Sequence, residues 1–373
     1  MKFMHIADVH LGVIPDKGKE WSEIRANEVQ ESFSRVLKVA KEEKIDLLLI
    51  AGDLFHYPPT ITMLKELDAK LLELPGVTTI IIAGNHDYMS ADSPFDRYEF
   101  ESDTVVLSSE HPEQVVLDDL KTCVSGISYN RQIITDAMYD SLSPELAWKA
   151  TEGETVAYPK RVEDYFQILL AHGGDAEHSP MDFKRLQRNG FDYIALGHIH
   201  KPEVLSTDRM IYAGSLEPID ITDTGERGYV IGEVKSDGEA VTRWIPFSCR
   251  QYIDLVIEVP ADWTNYQLQK ELQNRIEQQG EEHIYQIILT GVRGEHLQLD
   301  LTSILNSYYI SRVQDLMCEA IDYEMLEQEN RDNILGRFIR EMSTDEAPEV
   351  ETDRVKRLAC EYGVKALLAN REG

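Results

Sequence analysis

Five stretches of the chain share one pattern: an apolar run stops beside a small residue and is followed at once by Asp, Asn or His. They are MHIADVH ending at His10, LLLIAGDLFH passing through Asp53, TIIIAGNHD from Thr79 to Asp87, FQILLAHGG with His172, and YIALGHIH ending in His198 and His200. Ile80, Ile81 and Ile82 show no polar alternation, which predicts a strand covered on both faces. Gly84 then lets the backbone turn where a side chain would collide. Between the first three runs lie two helical patterns. One places Val29, Phe33, Val36, Leu37 and Ala40 on a face, the other Leu64, Leu67, Leu71 and Leu74. Strand, helix, strand, helix, strand at this spacing predicts βαβ units and a parallel sheet.

From about Val105 the texture changes to short strands, VVLSS, VVLDD and TCVSGISY, followed by a mixed segment from Arg131 to Val162. The β-rich pattern resumes at Phe166 with a helix expected over Met181 to Arg188. Three later runs, RMIYAGS, RGYVIGEV and VTRWIPF, are spaced like an antiparallel meander. Near Cys249 the pattern restarts as a small unit. It has a strand YIDLVIEV, a helix marked by Leu268, Leu272 and Ile276, a strand IYQIILTGV, a short helix DLTSILNSYY and a third strand within ISRVQDLMCEAI. The expected organisation is a first domain over 1–249, a small α/β cap over 250–325, and a helical segment over 326–373 that is a candidate for docking a partner protein, with packing on the chain's own cap as the equal alternative. In that last segment one helix carries Ile334, Leu335, Phe338, Ile339 and Met342, and a second carries Val355, Leu358 and Tyr362, with the acidic linker TDEAPEVETD between them.

A length of 373 residues suits two domains with an ample core. No run of about 18 apolar residues exists and no leader-like segment precedes the first strand, so a cytoplasmic protein without a membrane span is expected. Cys123, Cys249, Cys318 and Cys360 are scattered and form no CxxC pair, which points away from a disulfide framework or a thiolate zinc site. The formal net charge is −30, divided as −18 over residues 1–250 and −12 over the rest. Neither part is a basic module. Phosphate neutralisation dominates nucleic-acid affinity, so a nucleic-acid role would need a metal cluster, a local basic strip or a basic partner to offset that charge.

The polar residues that end the five runs are of one chemical kind. Asp8, His10, Asp53, Asn85, His172, His198 and His200 supply carboxylate, imidazole and amide oxygen without thiolate, a set that suits Mn²⁺ foremost, with Fe²⁺ or Zn²⁺ as alternatives. Residues two apart on an extended strand point the same way, so Asp8 and His10 are expected to converge, as are His198 and His200. Seven ligands exceed the needs of one ion, and two divalent ions sharing a bridging carboxylate account for them. Such a pair can clamp a phosphate oxygen and generate a nucleophile near neutral pH, which phosphoester hydrolysis uses.

In order and spacing, DxH, GDxxH, GNHD, a lone His and GHxH resemble the motifs of the calcineurin-like metallophosphoesterases, over residues 1 to about 245. The resemblance implies a four-layer αββα sandwich. It also implies that Asp8, His10, Asp53 and His200 hold one ion and that Asp53, Asn85, His172 and His198 hold the other, with Asp53 as the bridge. His86 would face substrate as a catalytic residue, and Asp87 would orient the loop or the ring. DVHLG, GDLFH, GSLEP and the TGERGYVIGEV hairpin resemble more closely the SbcD-like DNA repair nucleases and the YhaO-type proteins. That likeness implies exonuclease or endonuclease activity in DNA repair and recombination, a homodimer, and an SMC-type ATPase partner of the SbcC kind. The ATPase would be a separate polypeptide, since this chain has no GxxxxGK[ST]. His56 would lie near substrate phosphate or support its loop.

Two rivals stay open at this point. One is a phosphodiesterase or phosphatase for a small substrate such as a nucleotide, for which acidity is no handicap. The other is a regulatory or scaffolding subunit that keeps the metals and docks a partner. Among the remaining histidines, His5 is expected in the core and His178 in a loop, with cleft lining as the alternative. Tyr308 and Tyr309 are read as helix packing, with base stacking as the alternative.

Overall fold

The computed structural model describes residues 1–153, 158–294, 297–319, 323–343, 359–360 and 362–368. The chain divides into two compact units, Met1–Tyr252 and Ile253–Gly373. The first begins with β1 (Lys2–Ile6), α1 (Ser22–Glu42), β2 (Leu47–Ala51), α2 (Ile61–Leu71), β3 (Thr78–Ile82), α3 (Pro94–Arg97), β4 (Thr104–Val106), β5 (Glu113–Leu117) and β6 (Thr122–Gly126). It continues through α4 (Pro144–Glu152), α5 (Lys160–Glu163), β7 (Phe166–His172), α6 (Phe183–Leu186), β8 (Tyr193–Gly197), β9 (Glu203–Ser206), β10 (Met210–Tyr212), β11 (Gly228–Val234) and β12 (Ala240–Pro246). Two six-stranded sheets result, ordered β12-β11-β1-β2-β3-β4 and β5-β6-β7-β8-β10-β9.

Strand alternation builds the layers. Met4, Ile6, Leu48, Ile50 and Ile81 pack under Phe33, Val36, Leu64 and Leu67 of α1 and α2. Their neighbours Phe3, Leu47, Leu49, Ile80 and Ile82 face Val124, Ile168, Leu170 and Ala195 of the second sheet. Leu169, Ala171, Ile194 and Leu196 then meet Ala147 of α4 and Leu186 of α6 on the far side. Helices, sheet, sheet, helices is the four-layer αββα sandwich. The three isoleucines of β3 are fully buried, each contributing roughly 1.5–3 kcal/mol. This double burial explains why these strands lack polar alternation.

The five expected runs are β1, β2, β3, β7 and β8; β1 through β3 are parallel as expected, and β4 adds a fourth parallel strand beside β3. The expected meander is corrected. β11 and β12 form an antiparallel hairpin on β1, whereas β10 lies in the other sheet, parallel to β8. Met210, Ile211 and Tyr212 are all buried, and β10 forms its hairpin with the strand before it, β9, and not with β11. The helix expected over Met181 to Arg188 is only the single turn α6.

The second unit, taken with the strand that leads into it, holds β13 (Tyr252–Val259), α7 (Asn265–Gln279), β14 (Ile284–Arg293), α8 (Thr302–Ser307), β15 (Ile310–Asp315), β16 (Cys318–Glu319), α9 (Tyr323–Glu329) and α10 (Ile334–Ser343). A capping box of Thr264 and Gln267 starts α7, whose Leu268, Leu272 and Ile276 close the core over Leu255, Ile257 and Leu289. The strand expected within ISRVQDLMCEAI is two pieces, β15 and β16, each parallel to β14. A boundary at 325 falls inside α9. Leu335 and Ile339 of α10 bury against Val364, with Tyr323 and Leu326 packed alongside, while Ile334 is 72% exposed. Val355, Leu358 and the acidic linker 344–353 lie outside the described residues. No helix among the described residues is long and apolar enough to cross a membrane.

Candidate metal centre

The strands that carry the motifs end together. Asp8, His10, Asp53 and Asn85 follow β1, β2 and β3, while His172 ends β7 and His198 and His200 follow β8. All seven sit within one cluster. Asp8, His10 and His200 offer ligand atoms within 4.8 Å of one another, and so do Asp53, His172 and His198. His10 Nε2 is 3.0 Å from His200 Nε2, and His172 Nε2 and His198 Nδ1 each lie 3.0 Å from Asn85 Oδ1. Asp53 stands between the groups, its Oδ2 3.4 Å from His172 Nε2 and 3.9 Å from His10 Nε2.

The means of convergence differs from the strand alternation expected. β1 stops at Ile6, and Asp8 and His10 both have φ 52°, with Asp53 at 51° and His198 at 92°. Four non-glycine residues in the left-handed region mark a backbone bent to deliver side chains inward. Backbone bonds fix the bend: Asp8 N–H donates to Gly52 O and His10 N–H to Asp53 O. His198 N–H donates to the Asp8 carboxylate at 2.9 Å. His198 and His200 consequently part, one toward each group.

The donor set tests the fit to a cation. His172 Nδ1 donates to Ala51 O at 2.9 Å, which leaves Nε2 as a lone pair. That lone pair meets the Asn85 amide oxygen and an Asp53 carboxylate oxygen, so acceptors converge on acceptors. Burial opposes charge on Asp53, yet His172 beside it holds its carboxyl well below the usual range. Burial would likewise lower His172, and Asp53 instead raises it to about 9, so the position between them takes up positive charge, as a proton on Nε2 or, on the neutral ring, as a cation at its lone pair. Burial pushes Asp8 up to about 6 and His10 well down. Buried carboxylates of this kind require positive charge in contact, and divalent cations fit these residues.

His86 and His56 lie at the same mouth. His86 Nδ1 faces His56 O at 3.2 Å, the two rings stack with centroids 4.8 Å apart, and His10 meets His86 edge-on at 4.8 Å. Burial, then His86, lowers His56. Asp87 contacts the loop backbone: it accepts from Gly84 N–H at 2.7 Å and Phe55 N–H at 3.1 Å, tying the ends of β2 and β3. Burial and then the charge of Asp53 push Asp87 up to about 7. His5 is fully buried with Nδ1 2.9 Å from Tyr193 Oη.

Other residues at the centre carry no motif. Tyr129 Oη donates to His172 O at 2.9 Å, and Tyr139 Oη accepts from His172 N–H at 3.2 Å. Asp175 and Asp223 take the outward nitrogens of His198 and His200. His178, expected as a loop residue, packs its ring 4.5 Å from that of His198.

Such a pair of ligand groups at the carboxyl ends of a double sheet is the mark of a metallophosphoesterase. The family described as calcineurin-like phosphoesterase matches residues 1–202, and the chain belongs to it. The chain is 28% identical over 277 residues to the DNA double-strand break repair protein Mre11 of Methanocaldococcus jannaschii, covering 69% of this chain and 70% of that one. It is 27% identical over 251 residues to the uncharacterized metallophosphoesterase YhaO of Bacillus subtilis, covering 63% of this chain and 57% of YhaO. All seven candidate ligands fall within the family match.

Proposed function

We propose that this metallophosphoesterase is a two-metal phosphodiesterase acting on DNA, the nuclease subunit of an SbcCD-like complex. The convergence of the other six candidate ligands in two groups on either side of Asp53 carries the two-metal reading. Asp8, His10, Asp53 and His200 would hold one ion, and Asp53, Asn85, His172 and His198 the other. Divalent ions held there would supply Lewis-acid polarisation of the phosphate and lower the pKa of a water.

The chain's own residues do the rest. Tyr129 and Tyr139 hold the end of β7, and Asp87 holds the Gly84 turn, so the ligands are oriented before substrate arrives. With Nδ1 of His86 turned to the His56 carbonyl, Nε2 is the atom left to pass a proton to the departing alkoxide. The stacked His56 fixes the plane of that ring. DNA as substrate is supported by the relative named as a DNA double-strand break repair protein.

One observation favours a small phosphoester instead: a net charge of −30 repels a polyanion. Labelled duplex and single-stranded DNA, bis(p-nitrophenyl) phosphate and mononucleotides, each assayed with Mn²⁺ and with chelator, decide between the two. DNA cleavage that requires metal, strengthened by an SbcC-type ATPase, is the expected result. Turnover of the small esters without any DNA cleavage, alone or with the ATPase, would exclude the nuclease role.

A further inference from the structure

The two histidines of GHIH present different nitrogens to the centre. His198 turns Nδ1 inward, 3.0 Å from Asn85 Oδ1, and Nε2 outward, 2.7 Å from Asp175 Oδ2. His200 turns Nε2 inward, 3.0 Å from His10 Nε2, and Nδ1 outward, 3.1 Å from Asp223 Oδ2. A neutral imidazole that offers a lone pair on one nitrogen must carry its proton on the other. Each outward nitrogen meets a carboxylate, which when ionised only accepts. We propose that Asp175 and Asp223 are positioning residues that hold His198 and His200 in opposite tautomers, so that two histidines two positions apart serve two different ions.

Both carboxylates are themselves pinned. Asp175 Oδ1 accepts from Glu177 N–H at 2.8 Å and His178 N–H at 2.9 Å. Asp223 Oδ2 accepts from Ile219 N–H at 3.0 Å and Asp220 N–H at 3.2 Å, and Arg227 Nη2 lies 3.5 Å from Oδ1. Asp223 lies beyond residue 202, where the family match ends. It belongs to the TDTGERG segment before β11, which gives that segment a role at the centre. Carboxylate partners behind ligand histidines fix ring orientation and raise ligand basicity.

The inference rests on the two-ion reading, and Asp175→Asn separates it from that reading and from a bracing role. The amide oxygen of the variant stays with the two N–H groups at the Oδ1 position. The NH₂ then falls at the Oδ2 position and points a donor at His198 Nε2. That moves the ring proton to Nδ1 and turns the lone pair away from the ion. In Asp175→Ala the site, 46% exposed at the Asp175 side chain, admits water, which can still accept from Nε2. The isosteric amide is therefore expected to do more harm than alanine, the reverse of what bracing the turn demands.

Metal content and Mn²⁺ affinity are measured for wild type and both variants, with thermal melting of the chelator-treated proteins. The expected result is two ions in wild type and a loss of affinity for one ion of about 10- to 100-fold in Asp175→Asn. Alanine should lose less, and the metal-free melting temperatures should be similar. Two ions bound as tightly in Asp175→Asn as in wild type overturn the tautomer assignment alone. Fewer than two ions in wild type overturn the two-ion reading and the inference with it. A third ion in wild type that the variant lacks would make Asp175, with His178 and His198, a ligand set and not a positioning one.

Discussion

At the scale of residues, the roles assigned to Asp53 and His86 are separable by measurement. Asp53 lies between both ligand groups, whereas Asp8 belongs to one. Asp53→Ala is expected to lose two-ion occupancy, and Asp8→Ala to keep one ion, by metal analysis of the purified proteins. Retention of both ions in Asp53→Ala removes the bridge. His86 meets the ligand His10 edge-on, and although His10, His56 and His86 offer ligand atoms within 4.8 Å of one another, neither of the two groups around Asp53 needs it. His86→Ala should therefore keep both ions and bind DNA while cleaving it on the order of 10² to 10⁴ more slowly, the usual cost of a lost general acid. An ester with a p-nitrophenolate leaving group needs little protonation and should suffer far less. Equal defects on both substrates, or loss of metal, would count against the proton-donor role.

At the scale of elements, what the sequence revealed and what it concealed have physical reasons. Strands covered on both faces do not alternate polar and apolar residues, so β1, β2, β3, β7 and β8 stand out as largely apolar runs followed by ligand-type residues. The backbone conformation that aims those residues leaves no such trace, since Asp8, His10, Asp53 and His198 adopt positive φ without being glycine. Asp175 and Asp223 were equally hidden, as two carboxylates among 67 acidic residues. β10 was misplaced because proximity in sequence suggested pairing with the strand after it, whereas it pairs with β8 and with the preceding β9 in the other sheet. Gly52 shows how tightly the strand ends approach: it has φ +89°, and an added Cβ would stand 2.2 Å from His172 Nδ1. Gly76 has φ +82° with nothing within 4 Å. Alanine at either costs about 1–3 kcal/mol of backbone strain. Only Gly52→Ala should also lower metal occupancy, and matched metal loss in Gly76→Ala would void the comparison. His5, between the sheets, links this packing to pH. Burial lowers its pKa to about 3, with the Leu196 carbonyl opposing, and the group facing it is the Tyr193 hydroxyl. Between about pH 6.5 and 3 the unfolded chain binds a proton there that the folded chain excludes. Stability therefore falls as pH falls through that window, by at most about 1.4 kcal/mol per pH unit. In urea titrations of chelator-treated protein at pH 4.5 to 7, His5→Asn is expected to be less stable at neutral pH and to show a shallower pH slope. An unchanged slope would mean that His5 is protonated in the fold.

For the whole molecule, a charge of −30 makes DNA engagement by this chain alone unfavourable at long range, so the ATPase partner proposed above would have a physical purpose beyond its own catalysis. The apolar stripe of α10 is the candidate for that docking, but the fold divides it. Leu335 and Ile339 are 1% exposed and pack against Val364, so they belong to the core of their own unit. Ile334 is 72% exposed and stands among Arg331, Arg337 and Arg340 around a cavity of about 460 Å³. Deleting everything after Ser343 would strip the cover from Leu335 and Ile339 and confuse unfolding with lost binding. Ile334→Glu avoids this, because a side chain that is already solvated can be charged with little effect on stability, usually within about 0.5 kcal/mol. If α10 docks the partner through its outward face, the variant should melt like wild type and bind an SbcC-type ATPase at least about 10-fold more weakly, since an isoleucine buried at an interface is worth roughly 1.5–3 kcal/mol. Titration of labelled ATPase with wild type and variant reads this directly. Equal affinity at equal stability would place the docking surface elsewhere and leave α10 as an internal packing helix.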